Sequence, residues 1–165
     1  MNIVNDPDKA INLMREVYLW MKTANLVHFE WWEPANMNRE YMYKHAEPDE
    51  FFVAFENGAA VASVILQDNE RNQSWKFIDK NNPKPALYLH WLTVIREFAG
   101  KGLPKILIDF AVKEALKKNL KLLRLDTEAN QPKLMNVYKN LGFELMGIGQ
   151  EGDHKTAYYQ KSVTA

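Results

Sequence analysis

The sequence contains no cysteine. A chain without thiols has no disulfide, no thiolate metal ligand and no cysteine nucleophile, and such a composition fits a reducing compartment. Charge of one sign is not in excess either, because 21 basic and 21 acidic residues give a net charge of +0. Balanced charge gives no indication of broad nucleic-acid binding or of a strongly acidic partner. We therefore expect a protein without disulfides and without a nucleic-acid partner.

Long apolar runs are also missing from the sequence. No stretch approaches the length of a membrane span, and no secretory signal core occurs in the first 25 residues. Those residues carry several charged side chains, namely Asp6, Asp8, Lys9, Arg15 and Glu16. The expectation is a soluble, cytoplasmic protein without a membrane partner.

The chain has 165 residues, of which 47% are hydrophobic. This length is enough for one well-buried core and is short for two separate ones. We therefore predict a single domain over residues 1–165, without repeats or low-complexity segments.

Helical spacing is the main signal at the start of the chain. Apolar residues from Ile11 to Met21 recur every three or four positions, and Asp6 can cap a helix that begins at Pro7. A short second helix is predicted near Met37 to His45, because prolines and loop residues flank that segment.

A β-hairpin is predicted around Asn57-Gly58. This dipeptide favours a type I′ turn, whose two central residues need positive φ. Residues 51–56 and 59–67 are the strands of the hairpin. Residues 68–85 are polar and contain two prolines, so they are predicted to form an exposed connection.

The second half of the chain alternates strands and helices. The predicted elements are a strand over 87–94, a helix over 104–119, a strand over 121–127, a helix over 131–141, and closing strands over 143–148 and 155–162. Helices between strands favour parallel neighbours, whereas hairpins favour antiparallel ones. The predicted fold class is therefore α/β (α+β), with a mixed, mostly antiparallel twisted central sheet flanked by helices.

A glycine-containing loop joins the strand over 87–94 to the following helix. Its sequence is Ala99-Gly100-Lys101-Gly102-Leu103-Pro104. Glycines let the backbone turn with its amides outward, and the helix N-terminus that follows favours a phosphate. A Gly-x-Gly before a helix is also compatible with a tight turn alone.

A second motif makes the pattern more specific. The strand Leu123 to Thr127 precedes the run Asn130 to Glu144, which contains Asn130, a helix with Tyr138, and Gly142-Phe143. Together with the loop, these residues resemble the GNAT superfamily of acyl-CoA-dependent N-acetyltransferases. The resemblance covers roughly residues 51–163 and both motifs occur in the family's order.

The resemblance implies acetyl-CoA (CoA) as cosubstrate. The residues implied to bind it are Leu92, Thr93, Val94, Ala99, Gly100, Lys101, Gly102, Leu103, Pro104, Asn130, Lys133 and Tyr138. Two positions depart from the family, which usually has Arg or Gln at the position of Ala99 and Gly or Ala at that of Pro104. Proline suits a helix start, but it removes one amide donor.

The chemistry implied by the resemblance is direct attack of an amine on the thioester, without a metal or a covalent enzyme intermediate. The amine must lose a proton, the oxyanion must be stabilised, and the thiolate must be protonated. Main-chain amides near Leu92 to Val94 are the expected oxyanion donors. His90 is the leading base, with Glu97, Glu128 and Glu30 as substitutes. A histidine hydrogen-bonded within the sheet remains the alternative.

Tyr138 matches the tyrosine that many family members use as general acid toward the CoA sulfur. It also belongs to an apolar helical stripe, which would make it a core residue. Asn130 is either a cofactor contact or only a helix N-cap.

The acceptor site is the least defined part of the sequence. Phe29, Trp31 and Trp32 lie where the resembled family usually builds its acceptor pocket, and Tyr88 shares a strand face with His90. Aromatic walls suit an apolar or cationic amine. The alternative, which the composition of this segment favours, is that these three residues complete the core beneath two helices.

The resulting prediction is an acetyl-CoA-dependent N-acetyltransferase that acts on a primary amine of a small molecule or peptide in a ternary complex. A homodimer is compatible with this prediction. The alternative is a non-catalytic acyl-CoA-binding or protein-interaction domain with the same fold.

Overall fold

The computed structural model describes residues 1–26, 32–71 and 73–164. Its α-helices are α1 (Pro7–Thr23), α2 (Arg39–Met42), α3 (Lys76–Asp79), α4 (Leu103–Lys117) and α5 (Pro132–Asn140). Its strands are β1 (Asn2–Asn5), β2 (Phe51–Glu56), β3 (Ala59–Gln67), β4 (Leu87–Val94), β5 (Leu122–Glu128), β6 (Glu144–Glu151) and β7 (His154–Ser162). The strands and longer helices predicted from the sequence are therefore present, with ends that differ by up to three residues.

The strands that lie within these ranges form a seven-stranded sheet in the order β1-β2-β3-β4-β5-β7-β6. The β1/β2, β2/β3, β5/β7 and β6/β7 pairs are antiparallel, and β4 pairs with β5 in parallel. The predicted fold class, a mixed and mostly antiparallel sheet with helices, is confirmed.

By its internal contacts the chain divides into two compact units. The first comprises Met1–Leu66 and Trp91–Phe110, and the second comprises Gln67–His90 and Ala111–Ala165. The prediction of one domain concerns folding behaviour and stays a prediction. Each unit is described by itself.

Helix α1 contributes half of the residues in a buried cluster of the first unit. Asp6 occupies the N-cap and its side chain accepts a hydrogen bond from the Lys9 amide at 3.0 Å, as the sequence predicts. The helix buries one stripe of side chains, namely Ala10, Ile11, Leu13, Met14, Val17 and Tyr18. These residues cluster with Met37, Met42, Phe51 and Val53, so that the helix packs against strand β2 and the loops before it.

The predicted hairpin is confirmed at its predicted bounds. Asn57 and Gly58 have φ values of 51° and 80°, which is the left-handed pair that a type I′ turn requires. A shift in register between Ala54 and Phe55 marks a bulge in β2.

The sequence prediction was wrong or incomplete at three places. The helix predicted near residues 37–45 is only the four-residue α2, capped by the Asn38 side chain. Strand β1 was not predicted, because four polar-flanked residues carry little periodic signal. Residues 68–85 are not simply an exposed connection, since they contain α3 and the buried Trp75, which is 2% exposed.

In the second unit, α3 covers one face of the sheet through aromatic contacts. The Trp75 ring packs on Tyr88 and Tyr158, with centroids 6.3 and 5.3 Å apart. Gly147 and Gly149 of β6 leave room for Phe77 and Ile78, because an added Cβ at Gly147 would lie 2.8 Å from Ile78 Cδ1. Small residues on β6 thus allow α3 to approach the sheet closely.

A buried ion pair fastens α3 to β5. The Arg124 guanidinium donates to both carboxylate oxygens of Asp79, at 2.7 and 2.8 Å. It also donates to Gln160 Oε1 at 3.0 Å and lies 4.3 Å from the centre of the Trp75 ring. Each of the three guanidinium nitrogens therefore donates to an oxygen, and the charge has a counter-ion, which are the conditions for tolerating it in a core.

Candidate active site

The loop after β4 has the backbone that the sequence predicts for an anion-binding turn. Gly100 and Gly102 have φ values of 78° and 79°, and an added Cβ at either would have nothing within 4 Å. Glycine is therefore required here by the backbone conformation and not by crowding. Leu103 is 2% exposed and anchors the loop where α4 begins.

The amides at the start of α4 are the donors that this loop offers. The Ile106 amide donates to the Gly102 carbonyl, four residues earlier, which is the usual main-chain bond of an α-helix. The amides of Leu103 and Lys105 come before this bond in the chain. Pro104 has no amide proton. The first turn thus presents one donor fewer than a glycine or alanine at position 104 would allow.

Lys101 gives the loop a positive charge. Its ammonium lies 4.2 Å from the centre of the Phe98 ring, and its amide donates to the Phe98 carbonyl. Ala99, Gly100 and Lys101 are all exposed. The loop is open to a ligand while its turn is fixed by local hydrogen bonds.

The end of strand β4 is irregular. Trp91 has a φ of 46°, a left-handed conformation inside a strand. The Thr93 hydroxyl donates to the Trp91 carbonyl at 2.9 Å, and the Thr93 side chain is buried. Leu92 and Val94 are half-buried. A left-handed residue departs from the regular backbone of a strand, so Trp91 marks an irregularity in β4.

The predicted acceptor aromatics are only partly described. Phe29 and Trp31 lie outside the described residues, as does Glu30. Trp32 stacks on Tyr18 with ring centroids 5.4 Å apart and packs against the first unit's core. Its packing agrees with the core alternative, and its role toward an acceptor stays a prediction.

Tyr138 lies on α5 in the second unit, where the apolar stripe of that helix meets β7. Its ring contacts Phe143 and Tyr159, with centroids 6.0 and 5.9 Å apart. Loss of solvation, together with the nearby Asp126, raises the pKa of Tyr138 to about 12. The phenol is therefore neutral at physiological pH, and its role as a general acid stays a prediction.

His90 lies beside a carboxylate that sequence analysis missed. The parallel pairing joins Tyr88 of β4 to Arg124 of β5, and the charge of His90 acts on the carboxyl of Asp126, two residues after Arg124. Loss of solvation raises the pKa of Asp126, although its side chain keeps contact with solvent, and the charge of His90 acts in the opposite direction. The sequence alone does not show that β4 pairs with β5, so it does not predict that His90 and Asp126 are neighbours.

Glu70 is the other carboxylate near Asp126, and its charge also raises the pKa of Asp126. Its own carboxylate oxygen accepts hydrogen bonds from the Ser74 amide and hydroxyl, at 2.6 and 2.8 Å. Among the substitute bases, Glu97 is exposed in a 3-10 turn and Glu128 ends β5. Asp126 and Glu70 are thus two neighbouring carboxylates that the sequence did not suggest as bases.

Tyr88 lines a cavity of about 630 Å³ in the second unit together with Trp75 and Asp79. Its hydroxyl lies 3.4 Å from Arg124 Nη1, and burial raises its pKa. The side chain is 6% exposed. Tyr88 is thus part of the packing around α3, and its contact with a substrate stays a prediction.

Asn130 and Lys133 are exposed at the start of α5. The N-cap of this helix is Gln131, followed by Pro132, and it makes no side-chain capping bond. The capping alternative for Asn130 was therefore wrong. Both residues are accessible to a ligand, and their contact with a cofactor stays a prediction.

Metal ligation and membrane insertion have no counterpart in the described residues. In ranges 1–26, 32–71 and 73–164, no three His, Asp or Glu side chains are grouped so as to hold a metal ion. Over the same part of the chain, no helix has the length and apolar character needed to cross a bilayer.

Comparison with known proteins identifies the family. The Acetyltransferase (GNAT) family matches residues 14–143. The chain belongs to this family, and the predicted resemblance is confirmed. The loop after β4 and Tyr138 both lie inside the matched region.

Relatives in sequence cover only part of the chain. It is 34% identical over 80 residues to "Uncharacterized N-acetyltransferase YesJ" of Bacillus subtilis (strain 168), which is 48% of this chain and 43% of that protein. It is 31% identical over 91 residues to a streptothricin acetyltransferase of Escherichia coli, which is 55% of this chain and 48% of that protein. The matched segments thus span less than half the length of either relative.

Solved structures share the fold over more of the chain. A GNAT-family acetyltransferase from Listeria monocytogenes has a TM-score of 0.74 at 21% identity and covers 98% of this chain and 94% of that chain. A Bacillus anthracis acetyltransferase solved in complex with acetyl coenzyme A has a TM-score of 0.54 at 20% identity, over 68% of this chain and 61% of that chain.

Proposed function

We propose that the protein transfers an acetyl group from acetyl-CoA to a primary amine of a small molecule or peptide, by direct attack in a ternary complex. The amine nitrogen bonds to the thioester carbonyl carbon, the carbon–sulfur bond breaks, and one proton moves from the nitrogen to the sulfur. The observation that carries the proposal is the left-handed Gly100 and Gly102 turn before α4, within a chain of the GNAT family.

The proposed contact to acetyl-CoA is made largely by main-chain groups. Phosphate oxygens are well matched to amides at a helix N-terminus, and the amides of Leu103 and Lys105 precede the first helical bond. Lys101 adds a positive charge at the exposed turn. Asn130 and Lys133 are proposed as additional contacts. The residues present fit the cosubstrate, although Pro104 removes one donor.

His90 is the proposed base, acting together with Asp126. The pair is expected to titrate as a unit, because each group changes the protonation of the other. A carboxylate beside the imidazole stabilises the imidazolium that forms when His90 takes a proton from the amine. Tyr138 is the proposed acid toward the departing thiolate. Its neutral phenol has a proton to give at any pH well below about 12.

Support for the acceptor class comes from the name of one relative and from two aromatic residues. The relatives include one protein named for a small-molecule substrate, streptothricin. Trp32 and Tyr88 are the described aromatic residues proposed to contact the acceptor, and their rings suit an apolar or cationic amine.

The test is release of free CoA from acetyl-CoA in the presence of a panel of primary amines and peptides. The proposal predicts amine-dependent release in the wild-type protein and its loss in Tyr138→Phe, with acetyl-CoA affinity retained. A protein that binds acetyl-CoA tightly and releases no CoA with any amine would instead be the non-catalytic acyl-CoA-binding domain.

A further inference from the structure

The left-handed conformation of Trp91 is unusual for a large side chain inside a strand. Such a residue is strained and persists only where its surroundings hold it in place. Strained backbone of this kind turns the peptide groups beside it away from the regular ladder. The structure must therefore contain groups that keep Trp91 in this conformation.

Two hydroxyl groups of the first unit form a chain of hydrogen bonds that ends at the Trp91 carbonyl. The Thr93 hydroxyl donates to the Trp91 carbonyl at 2.9 Å and lies 3.3 Å from the Tyr18 hydroxyl. Because Thr93 has one hydroxyl proton and gives it to Trp91, the proton of the second bond must come from Tyr18. The order of donation is thus Tyr18 to Thr93 to the Trp91 carbonyl.

Packing fixes both ends of this chain of hydrogen bonds. Tyr18 and Thr93 are each 3% exposed. The Tyr18 ring is stacked on Trp32 at an interplanar angle of 9°, and the Trp91 ring meets the edge of His45 with centroids 5.8 Å apart. Because Thr93 is buried and both of its hydrogen-bond partners belong to packed aromatic residues, its hydroxyl has little freedom to release the Trp91 carbonyl.

We propose that Thr93 is a positioning residue for acetyl transfer. With Tyr18 it maintains the left-handed turn at Trp91, and this turn orients the main-chain amides of residues 92–94 toward the reacting carbonyl oxygen. The proposal rests on the proposed function. It also means that any contact of Thr93 with acetyl-CoA is made by its main chain, since its side chain is buried in hydrogen bonds.

The experiment compares variants that differ by one hydroxyl. Thr93→Val keeps the shape of the side chain and removes the donor, Thr93→Ser keeps the donor, and Tyr18→Phe removes only the second bond. Ser63→Ala is the matched control. Ser63 is 0% exposed on β3, and within the described residues its hydroxyl has no hydrogen-bond partner.

The expected result is a split between kcat and KM. Thr93→Val is expected to lower kcat about 10- to 100-fold with the KM for acetyl-CoA within about threefold of wild type, as for loss of one oxyanion interaction. Thr93→Ser is expected to restore kcat to within about threefold, and Ser63→Ala to leave it unchanged. Tyr18→Phe is expected to lie between Thr93→Val and wild type, and it decides the question if Thr93→Val does not fold.

Two failures are distinguishable. Wild-type turnover with unchanged kcat in Thr93→Val or Tyr18→Phe would overturn the role of the hydroxyl pair and leave the proposed function standing. A folded wild-type protein that acetylates no amine would overturn the proposed function and the role of Thr93 in it. Equal loss of kcat in Thr93→Ser and Thr93→Val would also contradict the proposal, because side-chain shape and not the hydroxyl would then matter.

Discussion

At the scale of single residues, the two loop glycines carry the claim for cosubstrate binding. Both have positive φ and open space around the α-carbon, so a methyl group there meets a conformational penalty and no clash. Left-handed backbone costs a non-glycine residue about 1–2 kcal/mol.

The first prediction uses this property. Gly100→Ala and Gly102→Ala are each expected to lower the free energy of unfolding by about 1–2 kcal/mol and to weaken acetyl-CoA binding at least about tenfold, because the turn that aims the amides is lost. Chemical denaturation and calorimetric titration measure the two effects.

A matched control exists in the hairpin. Gly58 has φ 80° and nothing within 4 Å of an added Cβ, so Gly58→Ala should have the same cost in stability. It should leave acetyl-CoA affinity unchanged, because position 58 is outside the loop. Equal loss of affinity in all three variants would show that the loop glycines act through stability alone.

Tyr138 gives a prediction on pH dependence. Its pKa is raised to about 12, so the phenol keeps its proton throughout the range in which the enzyme is assayed. We expect Tyr138→Phe to lower kcat about 10²- to 10⁴-fold, the usual contribution of general acid–base catalysis. The wild-type rate should show no alkaline decrease below about pH 10 from this group. A decrease near pH 8 that disappears in Tyr138→Phe would contradict the assignment.

The proposed base, His90 with Asp126, is expected to set the acid side of the same profile. His90 must lose its proton to act as a base, so the rate should rise with pH through the apparent pKa of the pair. Asp126→Asn removes the negative charge that favours the imidazolium, so the apparent pKa should fall and the acid limb should move to lower pH. If the acid limb stays in place in Asp126→Asn but disappears in His90→Gln, His90 acts as the base without help from Asp126.

At the scale of elements, helix α3 depends on the buried ion pair of Asp79 and Arg124. Their side chains are 6% and 1% exposed, and the guanidinium lowers the pKa of the Asp79 carboxyl. Because the folded pKa lies below the unfolded one, the pair stabilises the fold at pH values above the unfolded pKa of about 4, and this contribution is lost as the pH falls through the folded pKa.

Breaking this pair on one side should therefore be costly. Asp79→Asn is expected to lower the free energy of unfolding by about 3–5 kcal/mol at pH 7, since it leaves Arg124 buried without its counter-ion. The double variant Asp79→Leu with Arg124→Met should recover most of this loss, because no buried charge remains. Denaturant unfolding at pH 7 and pH 3 measures both. A double variant no more stable than Asp79→Asn would contradict the explanation by an unpaired charge.

The same elements show how far the sequence predicts the structure. Helix α1, the β2–β3 hairpin and helix α5 were predictable because their signals are local: a cap, a spacing, an Asn-Gly turn and a glycine after a helix. The burial of Trp75 was not, because it depends on Arg124, Tyr88 and Tyr158, which are distant in sequence. Polar residues and two prolines around Trp75 indicated a loop, and long-range packing decided the outcome.

The candidate site divides in the same way. The glycine loop and Tyr138 have sequence signals, and the family match supports their significance. Asp126 had none, since a lone aspartate in a strand indicates nothing until β4 and β5 are paired. The left-handed Trp91 was equally hidden, because neither tryptophan nor its neighbours favour positive φ. Sequence analysis thus missed the features that depend on strand pairing and on strained backbone.

At the scale of the whole molecule, a fold shared with GNAT acetyltransferases carries a loop in which Pro104 has no amide proton. Fewer amide donors should mean weaker cosubstrate binding than a loop with glycine at position 104 would give. Pro104→Gly is therefore expected to strengthen acetyl-CoA binding about 10- to 100-fold if the restored amide makes one charge-assisted hydrogen bond, worth about 1.5–3 kcal/mol. Unchanged affinity would mean that this amide is not a phosphate donor.

Whether the loop after β4 binds acetyl-CoA can be measured by calorimetric titration of the wild-type protein, with CoA lacking its acetyl group as the comparison. We expect a dissociation constant in the micromolar range, weakened in Gly100→Ala and Gly102→Ala and unchanged in Gly58→Ala. No binding at millimolar acetyl-CoA by a folded protein would contradict this expectation, because the loop after β4 would then be a turn and not a cosubstrate site.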